Sequence, residues 1–356
     1  MKLSRRFQKL ALSFVGAVCV SGSAWADVDV PNIFADHMVL QQKQQNKVWG
    51  KAAAGEKISV TIGDQSHSAT AGDDGLWSVM LEPLPAGGPH ELVIKGNNEI
   101  KITDVLVGEV WICSGQSNMQ WRVNNANDPD LERLTAKHPT IRMINFPQVG
   151  TQEPVWDHPN AKWMVCTPEN VGDFSAVGYF FGRTLSESLD VPIGLVNNAW
   201  GGSACEAWIA RDVLEQAGNY SAMLERGDAT ARQLEELKAK DSPSEADKKQ
   251  IANLQRTVSG NHRPANIYNG VLKSHIGYGI KGAIWYQGES NASRAYQYRD
   301  LFPLMIKSWR DEWGQGDFPF YWVQLADFRE EKSEPAESDW AELASVADHD
   351  HDQIAQ

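Results

Sequence analysis

The sequence predicts a three-layer α/β architecture, a mostly parallel sheet with helices on both faces, preceded by a small β-sandwich. Three observations carry that expectation. From about residue 105 onward, apolar strand-like runs alternate with amphipathic helical runs, the order that builds parallel sheets. Residues 27–107 hold short alternating runs separated by Gly, Asp and Pro turns, the pattern of a sandwich. Three apolar runs, ending at Cys113, Val196 and Tyr286, each stop at glycine and small polar residues.

The elements follow in order. Lys2, Arg5, Arg6 and Lys9 precede an apolar stretch, Leu10 to Val20, and the small-residue pattern Ala24-Trp25-Ala26. Residues 1–26 therefore read as a signal peptide, too short in its apolar part to span a bilayer, which exports the chain to the periplasm or beyond. In the sandwich, Lys57–Ile62, Leu76–Met80 and His90–Ile94 alternate apolar and polar residues and read as strands. Residues 108–343 form the second domain. Phe174–Leu189 has helical periodicity and feeds a strand at Val191–Val196; Ser290–Trp313 reads as another helix, and Phe318–Leu325 as a further buried strand.

The charged stretch at about 212–262 reads as a helical insertion, broken at Asp241-Ser242-Pro243-Ser244, where a proline and a capping serine restart the helix. Residues 344–356 form an atypical tail.

Composition narrows the function. The formal balance of −13 becomes −17 once the four cations of residues 1–26 are removed, which argues against a nucleic-acid partner. No later run is long and apolar enough for a membrane helix. Fourteen tryptophans are read chiefly as core, with exposed ones suited to stacking on sugar rings. Cys113, Cys166 and Cys205 show no zinc spacing and read as small buried residues.

The chemistry gathers at the three strand ends. In Cys113-Ser114-Gly115-Gln116-Ser117-Asn118-Met119, a strand runs into a glycine turn that presents the Ser117 hydroxyl at the sheet edge where ligands collect. Serine there is a candidate nucleophile. Trp200-Gly201-Gly202-Ser203 and Trp285-Tyr286-Gln287-Gly288-Glu289-Ser290-Asn291-Ala292 repeat the arrangement. Together these blocks resemble the signature blocks of the sialate O-acetylesterases, within the SGNH hydrolase superfamily.

The resemblance implies a flavodoxin-like sheet and removal of O-acetyl groups from sialic acid or an acetylated polysaccharide through an acyl-enzyme, with no metal or organic cofactor. It implies that Ser117 attacks, and that the Gly202 N–H and the Asn291 side-chain amide join the Ser117 N–H in an oxyanion hole. Gln287 is the alternative donor. Glu289 is read either as a carboxylate that orients a histidine or as a structural ion-pair partner. The family's base is a histidine in a C-terminal Asp-x-x-His block. Asp348 and His351 have that spacing without the expected surroundings, so the chain is read as lacking the block, and Ala347–Asp352 either as the product of a shifted reading frame or as an altered terminus. His262 and His275 read as surface or packing residues. The competing reading is a non-catalytic carbohydrate-binding or truncated, inactive hydrolase remnant.

Overall fold

A computed structural model describes residues 27–326; the expected signal peptide, the tail and the Asp348/His351 pair lie outside the described residues. The strands are β1 (Val39–Gln41), β2 (Asn46–Lys51), β3 (Lys57–Ile62), β4 (Gln65–Thr70), β5 (Leu76–Leu81), β6 (Gly87–Lys95), β7 (Glu99–Gly115), β8 (His138–Asn145), β9 (Trp163–Cys166), β10 (Ile193–Asn197), β11 (Gly282–Tyr286) and β12 (Phe320–Trp322). The helices are α1 (Ser117–Gln120), α2 (Pro129–Thr135), α3 (Ala176–Leu189), α4 (Arg211–Ala217), α5 (Ser221–Lys238), α6 (Glu245–Val258), α7 (Asn266–Gly270) and α8 (Ala295–Trp313).

Strand β7 organises the molecule. Its first half pairs antiparallel with β6, from Glu99 to Val107, and extends the β4-β3-β6 sheet. Its second half pairs in parallel with β10 on one side and β11 on the other. The parallel part runs β8-β10-β7-β11-β12, with β9 antiparallel at the far edge. The domain boundary expected at residue 107 thus falls inside one unbroken strand. Strands β2 and β5 pair as a separate two-stranded ribbon, and its alternating burial puts Val48, Val79 and Leu81 into the shared core.

The near-continuous apolar sequence of β7 has a physical reason: both faces are covered. Val110 and Ile112 belong to one apolar cluster, with Leu301, Met305 and Trp309 of α8. Trp111 and Cys113 belong to another, with Ala176 and Tyr179 of α3. Strand β10 divides likewise, Val196 to one side and Ile193 and Leu195 to the other. These are the three layers. Trp208, Trp285 and Trp309 pack with centroids 5.4–6.2 Å apart, each such contact adding on the order of 1 kcal/mol. Most of the described tryptophans are core, but Trp121 and Trp322 are more than half exposed.

Helix ends follow local chemistry. Ser175 caps α3 through its hydroxyl, which accepts from the Gly178 N–H at 3.0 Å. Ser244 and Asp247 form a capping box that restarts the chain as α6, as the sequence expectation had it. Cys113, Cys166 and Cys205 are all buried and form no disulfide among the described residues, and burial pushes the Cys166 thiol up to about 12.

Candidate active site

Strands β10, β7 and β11 are parallel neighbours, so their C-terminal ends bring the three glycine-containing loops to one edge. Gly115 is the crossing point. Its carbonyl accepts from the Trp200 N–H at 3.0 Å, and the next N–H, of Gln116, donates to the Tyr286 carbonyl at 2.9 Å. Its φ is +139°, and a Cβ there would sit 2.2 Å from the Tyr286 oxygen. Only glycine fits. Gly115→Ala is expected to cost about 3 kcal/mol, from backbone strain plus overpacking, measurable as a lowered denaturant midpoint with an unchanged slope.

The polar residues around Ser117 are staples. Gln116 Oε1 accepts from the N–H groups of Gly288 and Ser290 at 3.4 and 3.3 Å. Asn118 Nδ2 donates to Glu289 Oε1 at 2.8 Å. Gln120 Oε1 accepts from the Gly201 N–H at 2.6 Å. Alternate residues of the motif therefore tie the first loop to the other two. Ser117 itself is exposed, and its hydroxyl makes no hydrogen bond among the described residues.

The second loop lies against the nucleophile's residue, since a Cβ on Gly201 would stand 3.7 Å from both Cα and Cβ of Ser117. Gly202 has φ +73°, and its N–H has no partner among the described residues. Its carbonyl accepts from the Ser290 hydroxyl at 2.9 Å. Asn261, from the return of the helical insertion, donates from Nδ2 to the Gly201 carbonyl at 2.7 Å. No motif in the sequence singled out Asn261.

The third loop is braced by two of its own amides, Asn291 and Gln287. Asn291 is buried; its Oδ1 accepts from the Cys205 N–H at 2.9 Å and from Gln287 Nε2 at 2.7 Å. Its Nδ2 donates to Glu206 Oε2 at 2.9 Å. A backbone N–H can only donate and a carboxylate only accept, so the amide cannot be turned round. The Gln287 Nε2 is also committed, to the Ser203 carbonyl at 2.9 Å, while its buried Oε1 has no partner among the described residues. Both N–H groups of Gln287 are thus taken, by the Ser203 carbonyl and Asn291 Oδ1, and that side chain braces the loops; Asn291 commits one of its two amide N–H groups, to Glu206.

Glu289 is exposed and held by Asn118, with no histidine among its described partners. Glu206, which the sequence reading passed over, is the buried anchor, paired with Arg294 at 2.6 Å. Its signal was a glutamate in an otherwise apolar run, Ala204–Trp208.

Neither described histidine near the third strand hydrogen-bonds Ser117. His262 is exposed and lines a cavity of about 390 Å³ between α5, α6 and Arg294. His275 is fully buried against Phe146, and its ring nitrogens meet Asn198 and Ser274. Burial drives its pKa down to about 3, so the imidazole stays neutral.

The family model for carbohydrate esterases of the sialic acid-specific acetylesterase type matches residues 107–240 and 260–351. The chain belongs to this family. The gap in the match falls on α6 and the turn before it, inside the helical insertion. The sialate O-acetylesterase of Mus musculus is 30% identical over 337 residues, covering 87% of this chain and 62% of its own length. The sialate O-acetylesterase of Homo sapiens is 30% identical over 330 residues, covering 83% and 57%. The chain thus spans about three fifths of the length of these curated relatives. A carbohydrate acetylesterase from Xanthomonas citri, known from its crystal structure, aligns with a TM-score of 0.72 and 34% identity over 89% of this chain and 67% of that one.

Proposed function

We propose that this chain is a serine carbohydrate esterase, exported through residues 1–26, that removes O-acetyl groups from sialic acid or an acetylated polysaccharide. The single observation that carries the reading is the Ser117 hydroxyl, exposed and unengaged while every polar neighbour in its motif is committed to bracing the loops. In the first step its oxygen bonds to the acetyl carbonyl carbon, and the sugar alcohol leaves with a proton. In the second, water releases acetate and restores the hydroxyl.

The developing oxyanion is held by two backbone donors, the N–H groups of Ser117 and Gly202. Each such donor supplies about 3 kcal/mol in the transition state. Asn291 and Gln287 support this arrangement from behind. The family resemblance assigns the proton relay to a histidine, and among the described residues no histidine hydrogen-bonds the Ser117 hydroxyl.

The test is rapid quenching during hydrolysis of a chromogenic acetate ester, followed by peptide mass analysis. An acetyl group on the peptide carrying Ser117 is the expected result. Turnover with no adduct there, even in variants slowed in deacylation, overturns the acyl-enzyme. One observation favours the binding-only alternative: among the described residues no base reaches Ser117. Retention on an acetylated glycan without any ester turnover would establish that alternative instead.

A further inference from the structure

Asn261 is held to the second loop twice. Its Nδ2 donates to the Gly201 carbonyl at 2.7 Å, and its own carbonyl accepts from the Ala204 N–H at 3.1 Å. The Gly201 carbonyl and the Gly202 N–H belong to one peptide plane. In a trans peptide they point in opposite directions. A donor fixed on the Gly201 oxygen therefore aims the Gly202 N–H away from Asn261, to the side where it has no partner among the described residues.

This plane is also the one beside the nucleophile. Gly201 is clamped through its N–H by Gln120 Oε1 at 2.6 Å and lies 3.7 Å, measured from its would-be Cβ, from Ser117. A Gly-Gly peptide is where rotation is easiest, because neither residue has a Cβ to resist it and Gly202 already has φ +73°. Left unpinned, the plane can present either its N–H or its carbonyl to the substrate. A carbonyl there repels an oxyanion.

We propose that Asn261 is a positioning residue for ester hydrolysis, selecting the peptide face that offers the Gly202 N–H to the reacting carbonyl. The proposal rests on the esterase reading above and adds a residue from the helical insertion to the machinery.

Two variants separate this role from packing. Asn261→Ala removes the donor and leaves the plane unpinned; kcat is expected to fall about tenfold. Asn261→Asp reverses the preference, because an ionised carboxylate repels the Gly201 carbonyl and accepts from a flipped Gly202 N–H. Its kcat is expected to fall about 10²-fold or more, the loss typical of a missing oxyanion donor. KM for a small acetate ester should stay within about twofold in both.

The ratio of Asn261→Asp to wild-type kcat should rise as pH falls toward about 4, where the carboxyl regains a proton to donate; the ratio for Asn261→Ala should stay flat. Equal losses in the two variants, or a flat ratio for Asn261→Asp, would overturn the proposal. A readout free of turnover is the Gly202 amide resonance in glycine-labelled protein, assigned with Gly202→Ala. It is expected to move downfield in Asn261→Asp at neutral pH and to return in acid. If the wild-type chain hydrolyses no acetate ester, the esterase reading falls while a moved resonance still upholds Asn261 as the residue that sets the Gly201–Gly202 peptide plane. An unmoved resonance defeats that role whatever the turnover.

Discussion

Replacing Ser117 by alanine is expected to lower kcat for acetate esters by about 10⁴-fold or more, leaving the residual rate that binding and the backbone donors provide. The fold should not notice. The hydroxyl is exposed and makes no hydrogen bond among the described residues, so its removal leaves no buried partner unpaired, and unfolding free energy should change by less than about 0.5 kcal/mol. Steady-state kinetics beside a denaturant titration checks both halves. A variant that retains more than a tenth of wild-type turnover would remove Ser117 from the chemistry, and with it the acyl-enzyme.

The second large effect is one of stability. Glu206 is buried, with a side chain only 4% exposed, and receives hydrogen bonds from Arg294 at 2.6 Å and Asn291 at 2.9 Å. Glu206→Ala strands both. Arg294 keeps a charge in a mostly buried place, and breaking a buried ion pair from one side typically costs about 3–5 kcal/mol. Asn291 loses its acceptor and with it the amide orientation that receives the Cys205 N–H. Thermal unfolding should shift down by several degrees or more. Removing both charges in the double variant Glu206→Gln/Arg294→Met should recover much of the loss, because neither group is then left uncompensated. A Glu206→Ala protein as stable as wild type would show that the pair contributes nothing to holding the third loop.

The order of elements was legible because burial leaves a periodic trace. Lys57–Ile62 reads as a strand and is one; the serine after Pro243 reads as a cap and forms a capping box. The meeting of the three glycine loops was legible for a similar reason: each apolar run stops where its strand leaves the sheet. What sequence could not carry was which way each amide points. Asn291 and Gln287 read as donors to substrate because the family resemblance gives their loop that part. Their direction is set by Glu206, eighty-five residues away from Asn291 in the chain, and by the Cys205 N–H.

Asn261 escaped notice for the same cause. It lies in a polar return segment with no periodicity, and only its contact with Gly201 gives it meaning. The boundary placed at residue 107 followed a change of pattern from short strands separated by turns to strands alternating with helices. Structurally that change is a single ribbon leaving one neighbourhood and entering another.

That ribbon restricts how the molecule can be taken apart. The same seventeen residues, Glu99 to Gly115, border β6, β1, β10 and β11 in succession before delivering the chain to Ser117. Excising or transplanting the leading part at residue 107 would cut a hydrogen-bond ladder rather than a tether, and the frayed stump would lie eight residues from the Gly115 crossing. Chimeras and tags are better joined at the solvent-facing bend between α5 and α6, where Asp241 and Ser242 are exposed.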